Sequence, residues 1–278
     1  MMVNLEDRVA LITGGGRGQG RAHAVMLAEA GADVVLYDRC ADLENTPYPL
    51  STPSDLDETV AAVESRGRKA VAIQGDVRDR TALKAAVDTS MEQFGRIDIL
   101  LANAGISVLT PLIGSPGEEA WDEEIGTNLT GVYNSMRAAA PVMAEKRWGR
   151  IVATSSMLGR FAMPTMAAYC ASKWGVIGMI KAAAQDLAAY GITVNAVAPG
   201  NINTPMIQNE VLYRTVRPDL ENPTAEDAAQ GLQTLHVQPI PWLDPSEISS
   251  AILFLIGAEH ITGTVIDVNA GASARFTA

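Results

Sequence analysis

The stretch Val9-Ala10-Leu11-Ile12-Thr13-Gly14-Gly15-Gly16-Arg17-Gly18-Gln19-Gly20 joins a β-favouring apolar run to a glycine-rich turn, and a helical pattern from Arg21 to Ala30 follows it directly. Glycines permit backbone angles and close approaches denied to other residues, so amide groups and the helix's positive end can meet a pyrophosphate. Gly31 stops the helix, and Asp33 to Tyr37 reads as a second buried strand closed by Asp38. Strand, turn, helix and strand make a βαβ unit. Asp38 stands 18 residues beyond Gly20, where dinucleotide-binding units place the acid that takes both ribose hydroxyls. It would repel a 2′-phosphate, so NAD is favoured over NADP. Arg17 and Arg39 argue weakly the other way, since either could hold a phosphate, touch the pyrophosphate or stand in solvent.

The unit repeats along the chain. Ala70 to Ile73 is a strand, Thr81 to Phe94 a helix stopped by Gly95, and Ile97 to Leu101 a strand. A helical stretch from Trp121 to Lys146 leads to the strand Arg150 to Thr154, a helix from Met166 to Tyr190 and the strand Ile192 to Val197. A last helix over Ser246 to Leu255 precedes the strand Thr264 to Val268. Seven strands alternating with helices predict an α/β fold: a doubly wound parallel Rossmann-type sheet with right-handed crossovers. The 278 residues, 47% hydrophobic, suit one such domain spanning 1–278.

Composition narrows the partners. A net charge of −11 repels a phosphate backbone, so no nucleic acid is expected. The longest apolar runs, such as Ala251 to Ile256, are too short to span a bilayer. The N-terminus MMVNLEDR is charged where a signal peptide needs an apolar run, and only two cysteines occur, so a soluble cytoplasmic protein is expected. His23, His236 and His260 show no metal-ligand spacing and read as surface or packing residues.

The chemistry points to Tyr169-Cys170-Ala171-Ser172-Lys173. Four residues apart on a helix, Tyr169 and Lys173 share a face, and an ammonium there can lower a phenol's pKa from about 10. Such a phenol can take a proton from an alcohol as hydride leaves, or return it to a ketone. Alone, such a pair is far more often a surface pair than a catalytic one. Cys170 has no base nearby in sequence and reads as a small buried residue, while Trp174 and Met179 fit a helix packing face.

With these motifs in order, the whole chain resembles the short-chain dehydrogenase/reductase family. The matching residues are Thr13-Gly14-x-x-x-Gly18-x-Gly20, Asp76-Val77, Asn103-Ala104-Gly105, Asn128, Ser156, Tyr169 with Lys173, and Pro199-Gly200 followed by Thr204. The resemblance implies catalytic roles for Asn128, Ser156, Tyr169 and Lys173. Ser156, 13 residues before the tyrosine, would bond the substrate oxygen, and Asn128 would hold a water that passes protons to Lys173. Ser155 has the same chemistry in the wrong register and reads as strand-end packing. For the cofactor, the resemblance implies the glycine turn with Gln19, Asp76 and Val77 at the adenine, Asn103, Ala104 and Gly105 beside it, and Pro199, Ile202 and Thr204 towards the carboxamide. Tyr169 and Lys173 would reach the cofactor as well. It further implies a dimer or tetramer, here a homotetramer.

Two segments remain. Residues 39–52 separate the second strand from a helix start at Thr52, Pro53 and Asp55, although such connections usually take roughly 2–6 residues. We expect this insertion to fold over the adenosine half of NAD, with Leu43, Tyr48 and Leu50 covering the adenine. The segment 201–243 carries Met206, Ile207, Val211, Leu212, Tyr213, Leu232, Leu235 and Trp242 beyond a strand's carboxyl end, which suggests an apolar substrate pocket. Arg39-Cys40-Ala41-Asp42, Tyr48-Pro49-Leu50-Ser51-Thr52-Pro53 and Arg21-Ala22-His23-Ala24 look like the carveol-dehydrogenase-like branch, whose members are associated with the redox peptide mycofactocin. That implies an NAD-dependent dehydrogenase of a hydrophobic secondary alcohol, terpenoid or cyclic, that retains NAD and passes electrons to an external acceptor. The alternatives are an NADP-dependent ketone reductase and a catalytically silent dinucleotide-binding sensor.

Overall fold

A computed structural model describes residues 3–276. Seven parallel strands run in the order β3-β2-β1-β4-β5-β6-β7. They are β1 (Val9–Thr13), β2 (Asp33–Asp38), β3 (Ala70–Gln74), β4 (Ile99–Ala102), β5 (Gly149–Thr154), β6 (Ile192–Pro199) and β7 (Val265–Val268). The helices are α1 (Gly18–Glu29), α2 (Pro53–Glu64), α3 (Arg80–Phe94), α4 (Glu118–Ile125), α5 (Gly131–Lys146), α6 (Ala167–Leu187), α7 (Glu210–Val216), α8 (Ala225–Gln233), α9 (Pro245–Gly257) and α10 (Ala272–Phe276).

The two faces of the sheet follow from the two-residue period of a strand. Ala10 and Ile12 of β1, with Val34 and Leu36 of β2, pack against α1, α2 and α9. Val9, Leu11, Val35 and Tyr37 point the other way, against α3, α5 and α6. Both faces are covered, which is why these strands read as near-continuous apolar runs. Strand order reverses between β1 and β4, so the chain leaves their carboxyl ends in opposite directions and opens a crevice there.

The expected start of α2 is present. Thr52 accepts from Asp55 N at 3.2 Å, Asp55 accepts from Thr52 N at 2.8 Å, and Pro53 takes the first turn. The expected single helix over Trp121 to Lys146 is instead α4 and α5 joined by a π-helical turn, Gly126–Thr130. Its wider loop turns Asn128 towards the segment after β4. The helix expected to reach Tyr190 ends at Leu187 and tightens to a 3₁₀ turn over Ala188–Tyr190, before Gly191 at φ +72°.

His23 and His236 are buried packing residues, bonded to Ser249 Oγ and the Ile240 carbonyl at 2.7 Å each, and His260 is exposed. Trp174 is 53% exposed, so its face of α6 is only partly covered within the chain. Among the described residues no helix is long and apolar enough to cross a membrane.

Candidate active site

The glycine turn after β1 forms one wall of the crevice. Gly14 and Gly18 have φ of +69° and +55°, and a Cβ at Gly20 would lie 1.9 Å from the Gly14 carbonyl oxygen. Side chains at these positions would strain or close the turn, so the sequence leaves its backbone open to a ligand. Asp38 ends β2 beside it and accepts from Gly16 N at 2.9 Å and Cys40 N at 3.1 Å. The Ser51 hydroxyl also donates to Asp38, so the insertion itself orients the acid. Cys40 is buried there at φ +53°, and burial with the Asp38 charge pushes its thiol up to about 11. The thiol is therefore unreactive.

From this point a groove runs over Gly14, Arg17, Gly18, Gln19 and Gly20 towards the loop after β4. Arg39, Asp76 and Val77 line one end of it, and Asn103, Ala104, Gly105 and Thr204 the other. Burial alone would raise the Asp76 pKa, but Arg78 at 2.6 Å and Arg39 at 3.5 Å hold it below the usual range. Arg17 donates to the Pro49 carbonyl. Arg17 is thus engaged by the insertion, while Arg39 only pairs with Asp76 and its Nη1 has no hydrogen-bond partner among the described residues.

Asn103 joins three strand ends. Its amide nitrogen donates to the Thr13 carbonyl at 3.2 Å, and its amide oxygen accepts from Thr154 Oγ1 at 3.2 Å. Pro199 closes β6, and Ile202 beyond it is pinned by a backbone bridge to Leu243. Thr204 Oγ1 turns back to the Ile202 carbonyl at 3.3 Å.

Gln19, Asn103, Gly105 and Thr204 also line a second cavity of about 390 Å³, where the remaining predicted residues meet. Tyr169 and Lys173 enter it from α6, Ser156 from the end of β5, and Pro199 and Ile202 from the end of β6. Lys173 Nζ lies 5.5 Å from the Tyr169 ring centroid and donates to the Thr154 carbonyl at 3.0 Å. Ser156 Oγ accepts from Leu158 N at 3.1 Å, which leaves its O–H as a donor. Burial pushes the Tyr169 phenol up to about 12 while the Ser156 hydroxyl pulls it down. Burial also lowers the Lys173 pKa to about 8. Lys173, expected to lower the phenol's pKa, is not among the groups that shift it: burial dominates, and Ser156 is the group that lowers it.

Asn128 is fully buried, and its side chain bonds the Ile106 amide and carbonyl at 2.8 Å each. Ser155 Oγ donates to the Lys173 carbonyl at 2.9 Å and so fastens α6 to the strand end. Met206, Ile207, Val211, Leu212, Leu232 and Leu235 form the apolar wall of the cavity. Tyr213 and Trp242 do not line it, and the Tyr213 hydroxyl bonds Gln208 instead.

Leu43, Tyr48 and Leu50 of the insertion line the groove together with Asp38, Asp76 and Val77. Leu43 and Leu50 also pack against Ile106, Val108 and Ala120 on the β4 side of the crevice. The Tyr48 hydroxyl accepts from Ser107 N at 3.0 Å, and Pro47 lines the second cavity. Residues 39–52 therefore form a strap that leaves Asp38, crosses the groove and reaches the loop beside the cavity of Tyr169 and Lys173. Apolar partners on the far bank, invisible as a set in sequence, drew it across.

Three contributors escaped the sequence reading: Ser51 on Asp38, the Met163 to Met166 wall of the second cavity, and Glu124 beneath Lys173. Glu124 had a signal, since an acid four residues before Asn128 shares its helix face.

The short chain dehydrogenase family pattern matches residues 8–212. The chain is 45% identical to (-)-trans-carveol dehydrogenase of Rhodococcus erythropolis over 99% of this chain and 100% of that protein. It is similar to the crystal structure of carveol dehydrogenase from Mycobacterium avium in complex with NAD, with TM-score 0.94, 45% identity and coverage of 97% and 98%. A short chain dehydrogenase from Mycobacterium paratuberculosis bound to NAD matches with TM-score 0.87 at 34% identity, over 98% and 99%. With its glycine turn, crevice and convergent Ser156, Tyr169 and Lys173, the chain belongs to the short chain dehydrogenase family.

Proposed function

We propose that this chain is an NAD-dependent alcohol dehydrogenase that oxidises a hydrophobic secondary alcohol resembling carveol and holds its NAD beneath the strap. The strap carries this reading: it reaches from the acid at the ribose position to Ser107 beside the catalytic cavity. A nucleotide in the groove would be covered along its length, so electrons would leave to an external acceptor, such as mycofactocin, more readily than on exchanged cofactor. The residues present fit NAD: the open glycine turn admits a pyrophosphate, and Asp38 stands at the ribose position.

Bound NAD supplies the hydride acceptor and a positive ring charge that favours the phenolate. The chain supplies the rest. Ser156 donates its O–H to the substrate oxygen, and Tyr169 takes the alcohol proton. Lys173 holds positive charge against the phenol ring. Asn128 keeps the loop after β4 in register through Ile106, and beside it a water would carry protons from Lys173. The apolar wall from Met206 to Leu235 excludes water and favours a terpenoid or cyclic alcohol.

The NADP-dependent ketone reductase fares worse because Asp38, fixed by Gly16 N, Cys40 N and the Ser51 hydroxyl, would repel a 2′-phosphate. The silent sensor fares worse because Asn128, Ser156, Tyr169 and Lys173 are all present in one place. Trp121, Tyr133 and Trp174, exposed on α4, α5 and α6, support assembly into a homotetramer.

The test is direct titration with both nucleotides and oxidation of carveol with a redox dye as acceptor. The unaltered protein should prefer NAD and turn over carveol. Asp38→Ala should weaken NAD by roughly 1.5–3 kcal/mol, the worth of a charge-assisted hydrogen bond, and narrow or invert the preference. Tighter binding of NADP by the unaltered protein would replace this reading with the reductase.

A further inference from the structure

Glu124 is an acid with no solvent to receive its charge: it lies on α4, fully buried. Its Oε1 accepts from Val108 N at 2.9 Å, and its Oε2, also buried, has no hydrogen-bond partner among the described residues. Such a group is costly unless it is neutral or faces a cation. The cation is Lys173, which lies against the same loop: a Cβ built on Gly105 would meet Lys173 Nζ at 3.4 Å. Three side chains clamp that loop. Asn128 holds Ile106, the strap's Tyr48 holds Ser107, and Glu124 holds Val108.

We propose that Glu124 is a positioning residue that acts through Lys173, its carboxylate being the counter-charge that keeps the lysine an ammonium as pH rises. This rests on the catalytic reading of Lys173 given above. The titratable groups facing Glu124 are Lys173 and Tyr169 on α6 and Tyr48 on the strap. Burial raises the Glu124 pKa to about 8, against the pull of the Val108 amide and the Lys173 charge. Burial lowers the Lys173 pKa to about 8, and Glu124 raises it. The two therefore titrate in one range. Below it Glu124 is a neutral acid; within it the carboxylate holds the lysine's proton to a higher pH than burial alone would allow, and above it both protons are lost.

The sign of the test follows. In Glu124→Gln the side-chain carbonyl still accepts from Val108 N, and the amide mimics the protonated acid, so the acid limb of the kcat profile should stay in place. The alkaline limb should move to lower pH by about half a unit or more, because Lys173 loses its counter-charge. Glu124→Asp, which keeps a charge, should move that limb less. If Glu124 only clamps the loop, Glu124→Gln will leave both limbs where they are, and the proposal is overturned. Carveol with a redox dye is the assay.

A second measurement does not depend on turnover. In protein labelled at the glutamate carboxyl carbon, the resonance missing from Glu124→Gln should titrate far above the ordinary glutamate value of about 4.3. It should titrate higher still in Lys173→Met, where the facing cation is gone. A Glu124 resonance that titrates with the surface glutamates, or is unmoved by Lys173→Met, would overturn the proposal. Absence of carveol oxidation by the unaltered protein would instead overturn the substrate reading and leave the carboxyl titration to decide on Glu124.

Discussion

Tyr169→Phe should lose about 10²–10⁴-fold in turnover, the usual worth of a general acid–base group, with NAD still bound. The substitution removes the proton-carrying oxygen and leaves the ring, which is partly buried on α6 near Lys173. The two neighbouring serines do not replace it: Ser156 already accepts from Leu158 N and in the proposed mechanism gives its proton to the substrate oxygen, and Ser155 is committed to the Lys173 carbonyl. Rapid-mixing measurement of hydride transfer, with bound NAD followed by absorbance, separates the chemical step from product release. Near-normal hydride transfer in Tyr169→Phe would remove the phenol from the mechanism.

Shortening residues 41–51 to a glycine-containing turn should speed NAD release by roughly a hundredfold. The strap buries Leu43 and Tyr48 against the far bank of the crevice. Two such side chains contribute on the order of 3 kcal/mol, which is about two decades in rate if release requires the strap to lift. Both ends are anchored, by Ser51 on Asp38 and by the Thr52 and Asp55 capping box, and the middle is tied by Tyr48 to Ser107. The intact protein purified without added cofactor should release nucleotide on denaturation, and the shortened protein little. Equal exchange of labelled NAD before and after shortening would make the strap an ordinary surface loop.

The shortened variant also separates two effects that a simple lid would merge. Asp38 loses the Ser51 hydroxyl, and the loop at Ser107 loses the Tyr48 clamp. A lid alone changes the release rate, whereas a clamp also changes the chemical step. A drop in single-turnover hydride transfer with NAD saturating would therefore assign the strap to the catalytic loop as well as to the cofactor.

The alternation of apolar strands and capped helices, read along one dimension, determined the fold, because a parallel sheet covered on both faces needs near-continuous apolar strands and connections of helical length. The candidate catalytic and cofactor residues were legible for the same reason. Gly14, Gly18 and Gly20 answer local backbone geometry, and Tyr169 and Lys173 are neighbours on one helix, so their meaning lies within a few residues of chain. Even the anchors of the insertion could be read, since the caps Thr52, Pro53 and Asp55 are local signals. Its path could not. Leu43 and Tyr48 cross to Ile106, Val108 and Ser107, some sixty residues away in the chain, because a crevice at the strand reversal offers them an apolar bank and an unpaired amide that no local pattern displays. Glu124 belongs to the same class: its sequence neighbours mark it as a helix-surface acid, and only packing α4 against α6 buries it beside Lys173, where desolvation rather than residue type sets its charge.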